Sequence, residues 1–244
     1  MEILPLEEGI YSVDKKKNLS PVTGLDSAQV PGFLQMAVRP FLIRLKNDLV
    51  LLDCGLGIVN GSYMMTSVLG HHGINSGQIT KVLLSHLHKD HIEGLGYFQN
   101  SEFVQQFGNA TIYANRQEHD YALSQKGNPS YNDDLVEQLA GFPNLQLMDA
   151  MQGNLSPEIY FEVVDGHTPY HLAFRISEGD QTIFYGGDNL PQAHYLDYHI
   201  AYKTDYDGKK AMTLRQKWQN ESKHKHWTVL LYHDLKLPML KFNN

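Results

Sequence analysis

The chain has a single cysteine, Cys54, among 244 residues, so no disulfide can form within it. Such thiol usage suits a reducing cytosol. No apolar run approaches the length of a membrane span, and the first residues carry Glu2, Glu7 and Glu8 where a signal peptide would be apolar. The expectation is a soluble cytoplasmic protein without a membrane partner. Positive charge is also short: 20 Lys and Arg against 27 Asp and Glu leave a net charge of −7. That balance argues against a nucleic-acid partner. There is no repeat, low-complexity tract or linker, so one domain spanning 1–244 is expected. Hydrophobic residues make up 42% of the chain, enough for a sizeable core. Cys54 itself, between Asp53 and Gly55, reads as a small buried hydrophobe.

Histidine is abundant, with thirteen in the chain. Four potential metal ligands fall within six residues: His86, His88, Asp90 and His91. They follow Val82 to Leu84, an apolar run that reads as the end of a buried strand. In extended backbone, residues two apart share a side, so His86, His88 and Asp90 start on one face. His91 breaks the alternation, which implies a turn presenting ligands to two neighbouring points. The bland reading is a solvated loop. Against it, each side chain would lose hydration beside a buried strand with no partner in return. Three imidazoles and a carboxylate suit a divalent ion such as zinc.

The flanking chain predicts a layered α/β body. Strands are expected at 9–13, 41–45 and 49–52, the last two forming a hairpin around Asn47-Asp48. Residues 21–36, with Gly24, Pro31 and Gly32, read as a loop overhanging the site. A short helix at 62–69 precedes the strand 79–84, and mixed helix and strand follow Gly94. Helices capped by Asn115 and by Asn132 or Asp133 run to about 125 and 140. Strands return at 145–148, 159–164, 171–177 and 182–185, then a helix at 209–220 and a strand at 228–232. Residues 189–207 are aromatic, with Tyr195, Tyr198, Tyr202 and Tyr206, and show no period. Each half resembles a sheet covered on one side by helices, and two such halves packed sheet to sheet make a four-layer α/β/β/α body.

Three further ligand-type positions lie just past strands, as the central cluster does. His167 follows 159–164, Asp188 follows 182–185, and His233 follows 228–232. Strand ends are where a rigid scaffold positions a site. Singly each is ordinary, but with the cluster they supply enough ligands for two metals.

Together, Asp53, His-Leu-His-Lys-Asp-His at 86–91, Gly-His-Thr-Pro at 166–169, Gly-Asp at 187–188 and His233 resemble the five-motif signature of metallo-β-lactamase-fold hydrolases. The resemblance implies an αββα sandwich with the site at one edge of its sheets. It implies that His86, His88 and His167 bind one divalent ion and that Asp90, His91 and His233 bind a second. Asp188 would bridge the pair, and Asp53 would orient the ligands rather than bind metal. The ions would be zinc first, with iron or manganese as alternatives. They would share a hydroxide that attacks an acyl or phosphoryl centre, with Asp90 a candidate proton shuttle.

The bridging Asp188 argues against the true β-lactamases, and His88 argues against the di-iron redox branch. The RNA-processing relatives carry an RNA-binding arm and the thioesterase-like relatives a C-terminal helical domain, neither evident here. A compact lactonase-like and organophosphate-hydrolase-like group remains. Two departures stand out. Tyr170 replaces a glycine of the family's Gly-His-Thr-Pro-Gly-His, with His171 retained. Pro191 stands where lactonases of this group often have a tyrosine three residues past the bridging aspartate. His194 and Tyr195 are therefore candidates for the substrate pocket. The expected substrate is a small lactone or ester. Rival readings are a phosphodiester or phosphotriester hydrolase, an iron-dependent redox enzyme on the same ligands, and a binding protein with an inactive site. The clustered tyrosines also suit a homodimer contact.

Overall fold

Strand order explains how ligand-type residues from distant parts of the chain meet. The computed structural model describes residues 1–22, 34–100, 102–198 and 200–242. The first six-stranded sheet runs Glu2–Pro5, Phe41–Arg44, Leu49–Leu52, Lys81–Leu83, Thr111–Asn115 and Leu145–Met148 from edge to edge. Phe41–Arg44 and Leu49–Leu52 form the expected antiparallel hairpin, Phe41 opposite Leu52. From Leu49–Leu52 onward the neighbours are parallel. Parallel pairing needs long crossovers. Helix Met64–His71 lies in the first, and helices Arg116–Ser124 and Asp133–Leu139 lie in the last.

The second six-stranded sheet runs Gln152–Asn154, Ile159–Val164, His171–Glu178, Gln181–Tyr185, Thr228–Leu230 and Met239–Lys241. Its first four strands are an antiparallel meander. The 18-residue helix Gly208–Lys225 then crosses over to Thr228–Leu230, which lies parallel to Gln181–Tyr185.

Three apolar clusters separate four layers. The central one joins the facing sides of the sheets, with Ile43, Val50, Leu52 and Leu83 against Phe161, Phe174, Ile176 and Ile183. A second lies between the first sheet and its helices, Val82 and Ile112 packing with Met65, Leu69, Leu135 and Leu139. The third packs Ala173, Phe184 and Val229 against Leu196 and Trp218. The fold is thus an α/β sandwich of the αββα type.

Three of the helices begin where a side chain satisfies an early backbone donor. Asn115 accepts the Glu118 amide at 3.0 Å, Asn132 that of Leu135 at 3.2 Å, and Asp207 that of Lys210 at 3.0 Å. In Gly208–Lys225, the buried residues Ala211, Arg215, Trp218 and Ser222 share one face.

Most of the predicted loop at 21–36 lies outside the described residues, but its two rims are strands. Leu19–Pro21 and Leu34–Val38 pair on either side of Gly9–Val13. These strands are short and only half-buried, so little apolar alternation marks them in the sequence. Past Gly94 the chain forms a two-stranded hairpin, Gly96–Gln99 with Glu102–Gln105. Among the described residues no helix is long and apolar enough to cross a membrane.

Candidate metal centre

Five segments meet at the carboxyl ends of strands, the edge where open α/β sheets build their sites. They are Asp53 after Leu49–Leu52, 85–91 after Lys81–Leu83, 165–168 after Ile159–Val164, 186–189 after Gln181–Tyr185, and 231–234 after Thr228–Leu230. His86 and His88 lie on the extended stretch leaving their strand. Asp90 and His91 do not continue it, because Lys89–Ile92 is one helical turn. That turn aims consecutive residues at neighbouring points, as the break in alternation required.

Two groups result, each able to hold a metal ion. His86, His88, His167 and Asp188 form one; Asp90, His91 and His233 form the other, and within each group the ligand atoms lie within 4.8 Å of one another. Asp188 links them. One of its oxygens lies 3.2 Å from Nε2 of His91 and 3.1 Å from Nε2 of His233. The other lies 3.4 Å from Nε2 of His167 and 4.0 Å from Nε2 of His86. Asp90 lies 3.5 Å from Nε2 of His233.

Nε2 of His86 and Nε2 of His91 are buried without a hydrogen-bond partner. An imidazole nitrogen in that state is costly unless a cation takes it up. The donors are imidazole and carboxylate, which suit zinc, iron or manganese. The residues therefore fit two divalent ions.

The far side of nearly every imidazole is held. Asp53 accepts from the Ser85 amide at 2.7 Å, the Ser85 hydroxyl at 2.7 Å and the Tyr185 hydroxyl at 2.5 Å. Its carboxylate also lies 2.8 Å from Nδ1 of His91. Nδ1 of His86 lies 3.0 Å from the Ser85 hydroxyl, and Nδ1 of His233 lies 2.7 Å from the Ala37 carbonyl. Nδ1 of His167 lies 3.0 Å from Asp205, and the His167 amide donates to Asn189 at 2.8 Å. Arg39 fixes the His233 loop by donating to the carbonyls of Leu231 at 3.2 Å and Asp234 at 2.8 Å.

Backbone geometry is equally constrained. Asp53 adopts φ +54°, a left-handed conformation unusual for a side-chain-bearing residue. At Gly187, φ +48°, a Cβ would lie 2.6 Å from the His171 ring, so the turn that presents Asp188 admits only glycine. His171 is stacked on His86 at 4.8 Å, and its Nε2 accepts the Asp188 amide at 3.2 Å. Burial, with His167 nearby, pushes His171 down to about 3, which keeps it a neutral acceptor.

Burial also holds His86 and His88 well below the ordinary imidazole value. Burial opposes charge on His91 too, but Asp188, Asp53 and Asp90 outweigh it and lift that ring well above the ordinary value. Asp188 is the converse: the imidazoles of His233, His91 and His167 overcome its burial and hold it ionised. The anion at the centre of the site demands positive charge around it. The Cys54 thiol is buried and pushed well up by that burial, then by Asp53, so it is no nucleophile.

A cavity of about 500 Å³ opens over both groups. His194 and Tyr195 line it, as do Tyr202, Tyr206 and, from the opposite rim, Leu34 and Met36. Pro191 does more than replace a tyrosine, since its carbonyl accepts the His233 amide at 3.0 Å. Sequence reasoning missed Ser85, Tyr185, Asn189 and Asp205. Ser85 adjoins the cluster and could have been suspected; Asp205, in a loop without period, carries no local signal.

Comparison with known proteins agrees with this architecture. No match was found among curated proteins. By structure, the chain is similar to a probable metal-dependent hydrolase from Staphylococcus aureus at TM-score 0.80 and 18% identity, covering 99% of this chain and 92% of that one. It is similar to AidC, a dizinc quorum-quenching lactonase, at 0.76 and 21%, covering 97% and 88%. It is also similar to the hydrolase AbOPH of the beta-lactamase superfamily, at 0.77 and 21%, covering 98% and 89%. Residues 36–222 match the profile of the Metallo-beta-lactamase superfamily, and to that family the chain belongs.

Proposed function

We propose that the protein is a dinuclear metal-dependent hydrolase of a small ester or lactone, with zinc as the preferred ion. The observation that carries this reading is Asp188, whose two oxygens face imidazoles of the two different groups. In this reading His86, His88 and His167 hold one ion, Asp90, His91 and His233 the other, and Asp188 both. Bound there, the ions would acidify a water and polarise a substrate oxygen. Likeness to lactonases supports the substrate class, as does a cavity walled by tyrosines that suits a small, largely apolar body.

The chain's own contribution is positioning and proton handling. Asp53, Ser85 and Tyr185 keep the His91 ring oriented and dry. Asp90 lines the cavity and leans on His233 through one edge. In this reading it takes a proton from the attacking water and passes it to the departing alkoxide, which leaves as the alcohol. His194 and Tyr195 face the substrate body.

Elemental analysis is the test, run beside turnover of a lactone, an aryl ester and a bis-aryl phosphodiester. About two zinc-like ions per chain are expected, with ester or lactone turnover lost in His86→Ala. Asp90→Asn should lower kcat by roughly 10²-fold or more, the usual worth of a proton-transfer group. Iron alone, or one ion with no hydrolysis, refutes the assignment. An Asp90→Asn protein with both metals and full turnover removes the proton role.

A further inference from the structure

One wall of the cavity bears charge that neither metal binding nor proton transfer uses. Lys17 and Lys89 both line it. Lys17 sits at the tip of the hairpin between Gly9–Val13 and Leu19–Pro21, and the tip is built to hold it. The Asp14 carboxylate accepts the Lys16 amide at 2.8 Å, the Asn18 amide at 2.9 Å and the Asn18 side chain at 2.9 Å. The Lys17 amide donates to the Asp14 carbonyl at 3.0 Å, and Lys17 takes φ +62°. Glycine or asparagine suits that conformation better, so lysine stands there against the local backbone preference. Asp14, the carboxylate nearest in sequence, is engaged with backbone and asparagine.

Lys89 lies between His88 and Asp90 and is half-buried, its amide donating to the Ser130 carbonyl at 2.9 Å. One turn on, Glu93 accepts from Asn132 at 2.9 Å. Among the described residues Lys81, Lys126 and Lys210 pair with carboxylates, and Lys17 and Lys89 do not. The carboxylates lining the cavity are all engaged with imidazoles: Asp90 at 3.5 Å, Asp188 at 3.1 Å and Asp205 at 3.0 Å. Lys17 and Lys89 therefore line a cavity whose own carboxylates are already engaged. Lys89 also borders a neighbouring pocket beside Glu93, outside ion-pair distance, and two bound cations would add to the positive field.

We propose that the substrate is anionic, bearing a carboxylate or phosphate group whose charge Lys17 and Lys89 offset as the scissile bond lies over the histidines. The proposal rests on the hydrolase reading and sharpens its substrate class. A compact ammonium is a point charge that either oxyanion can meet. The charge can come from a free carboxylate elsewhere on an ester, or from a phosphodiester at the scissile centre.

The experiment uses the metal-loaded protein and matched substrates. One pair is a nitrophenyl ester of a dicarboxylic acid with its second carboxylate free, against the same ester with that carboxylate methylated. The other is a bis-aryl phosphodiester against the triaryl phosphotriester. Binding of the free dicarboxylate is measured separately by calorimetry, so a readout survives if turnover fails. Within at least one pair the anionic member is expected to have the higher kcat/KM. Lys17→Gln and Lys89→Gln should each lower that preference by roughly two- to fivefold, the range for a partly exposed charge pair. Lys16→Gln, on the same tip but outside the cavity, should leave it in place. Preference in the ester pair identifies a carboxylate, and preference in the phosphate pair alone identifies a phosphodiester. Turnover of neutral esters with no anionic preference and no effect of either lysine overturns the proposal and leaves the hydrolase reading standing. Lysine-dependent dicarboxylate binding without hydrolysis of any substrate upholds the anion site and removes the hydrolase reading. Absence of both overturns the two together.

Discussion

Asp205 touches no other member of the two ligand groups, yet it governs one of them. It is nearly buried and lies 3.0 Å from Nδ1 of His167. A carboxylate there selects the tautomer that leaves Nε2 as the free lone pair. His88 has no such carboxylate; its Nδ1 lies 3.0 Å from Nε2 of His167, so the pair depends on Asp205 for its order. Asp205→Asn should therefore weaken metal binding by roughly 10- to 100-fold without unfolding the chain. Competition with a graded chelator, read beside the circular dichroism spectrum, checks this. Unchanged affinity would reduce Asp205 to a surface-loop carboxylate.

At the scale of elements, helix Gly208–Lys225 shapes the cavity without entering it. Trp218 is fully buried and packs on Phe184 at 4.8 Å, on the strand that leads to Asp188. Arg215 sits beneath Tyr195 at 5.1 Å and donates to the carbonyls of Asn189 at 3.0 Å and Ile200 at 2.6 Å. The helix thus holds a loop that has no regular structure along most of its length. Trp218→Ala should cost about 3–5 kcal/mol, the usual range for a large aromatic lost from a core. Urea denaturation of the metal-free protein would show it as a lower midpoint at unchanged slope. A loss under about 1 kcal/mol would mean that the helix packs by its other residues alone.

Across the whole molecule, Glu118 ties the two halves together. It lies on the first-sheet helix Arg116–Ser124 and accepts the hydroxyl of Thr168, on the loop after the second-sheet strand Ile159–Val164, at 2.8 Å. Burial pushes this carboxyl from the ordinary 4.5 up to about 7, against hydrogen bonds from Thr168 and the Leu87 amide. A carboxyl raised on folding binds its proton more tightly in the folded state. Its contribution is fullest below pH 4.5 and is lost as pH rises toward about 7. Glu118→Gln, which stays neutral throughout, should remove a pH dependence of order 3 kcal/mol from this window. Thermal denaturation of both proteins at pH 5 and pH 8 measures the difference. Equal pH dependence in the two would refute the assignment.

The chain order of apolar runs, glycines and capping residues determined the main helices and the central strands of both sheets, because these follow from local periodicity and backbone chemistry. The short half-buried strands Leu19–Pro21 and Leu34–Val38 carry no such period, and the two-sheet plan leaned on the family resemblance as well. His86, His88, Asp90 and His91 were legible for the same reason: they are close in sequence and follow a buried strand. His167, Asp188 and His233 are each ordinary alone and were legible only as a set, by their shared place just past strands, with their roles coming from resemblance to a known signature. Tertiary structure alone decided what stands behind them. Ser85 and Tyr185 meet at Asp53, and Asp205 meets His167, because packing two sheets face to face brings separate strand ends to one edge. It likewise decided that Lys17, on a hairpin tip of ordinary polar composition, lines the same cavity as Lys89. Local sequence encodes backbone preference, whereas hydrogen-bond partners and charge balance at a site depend on distances between segments that only the fold sets.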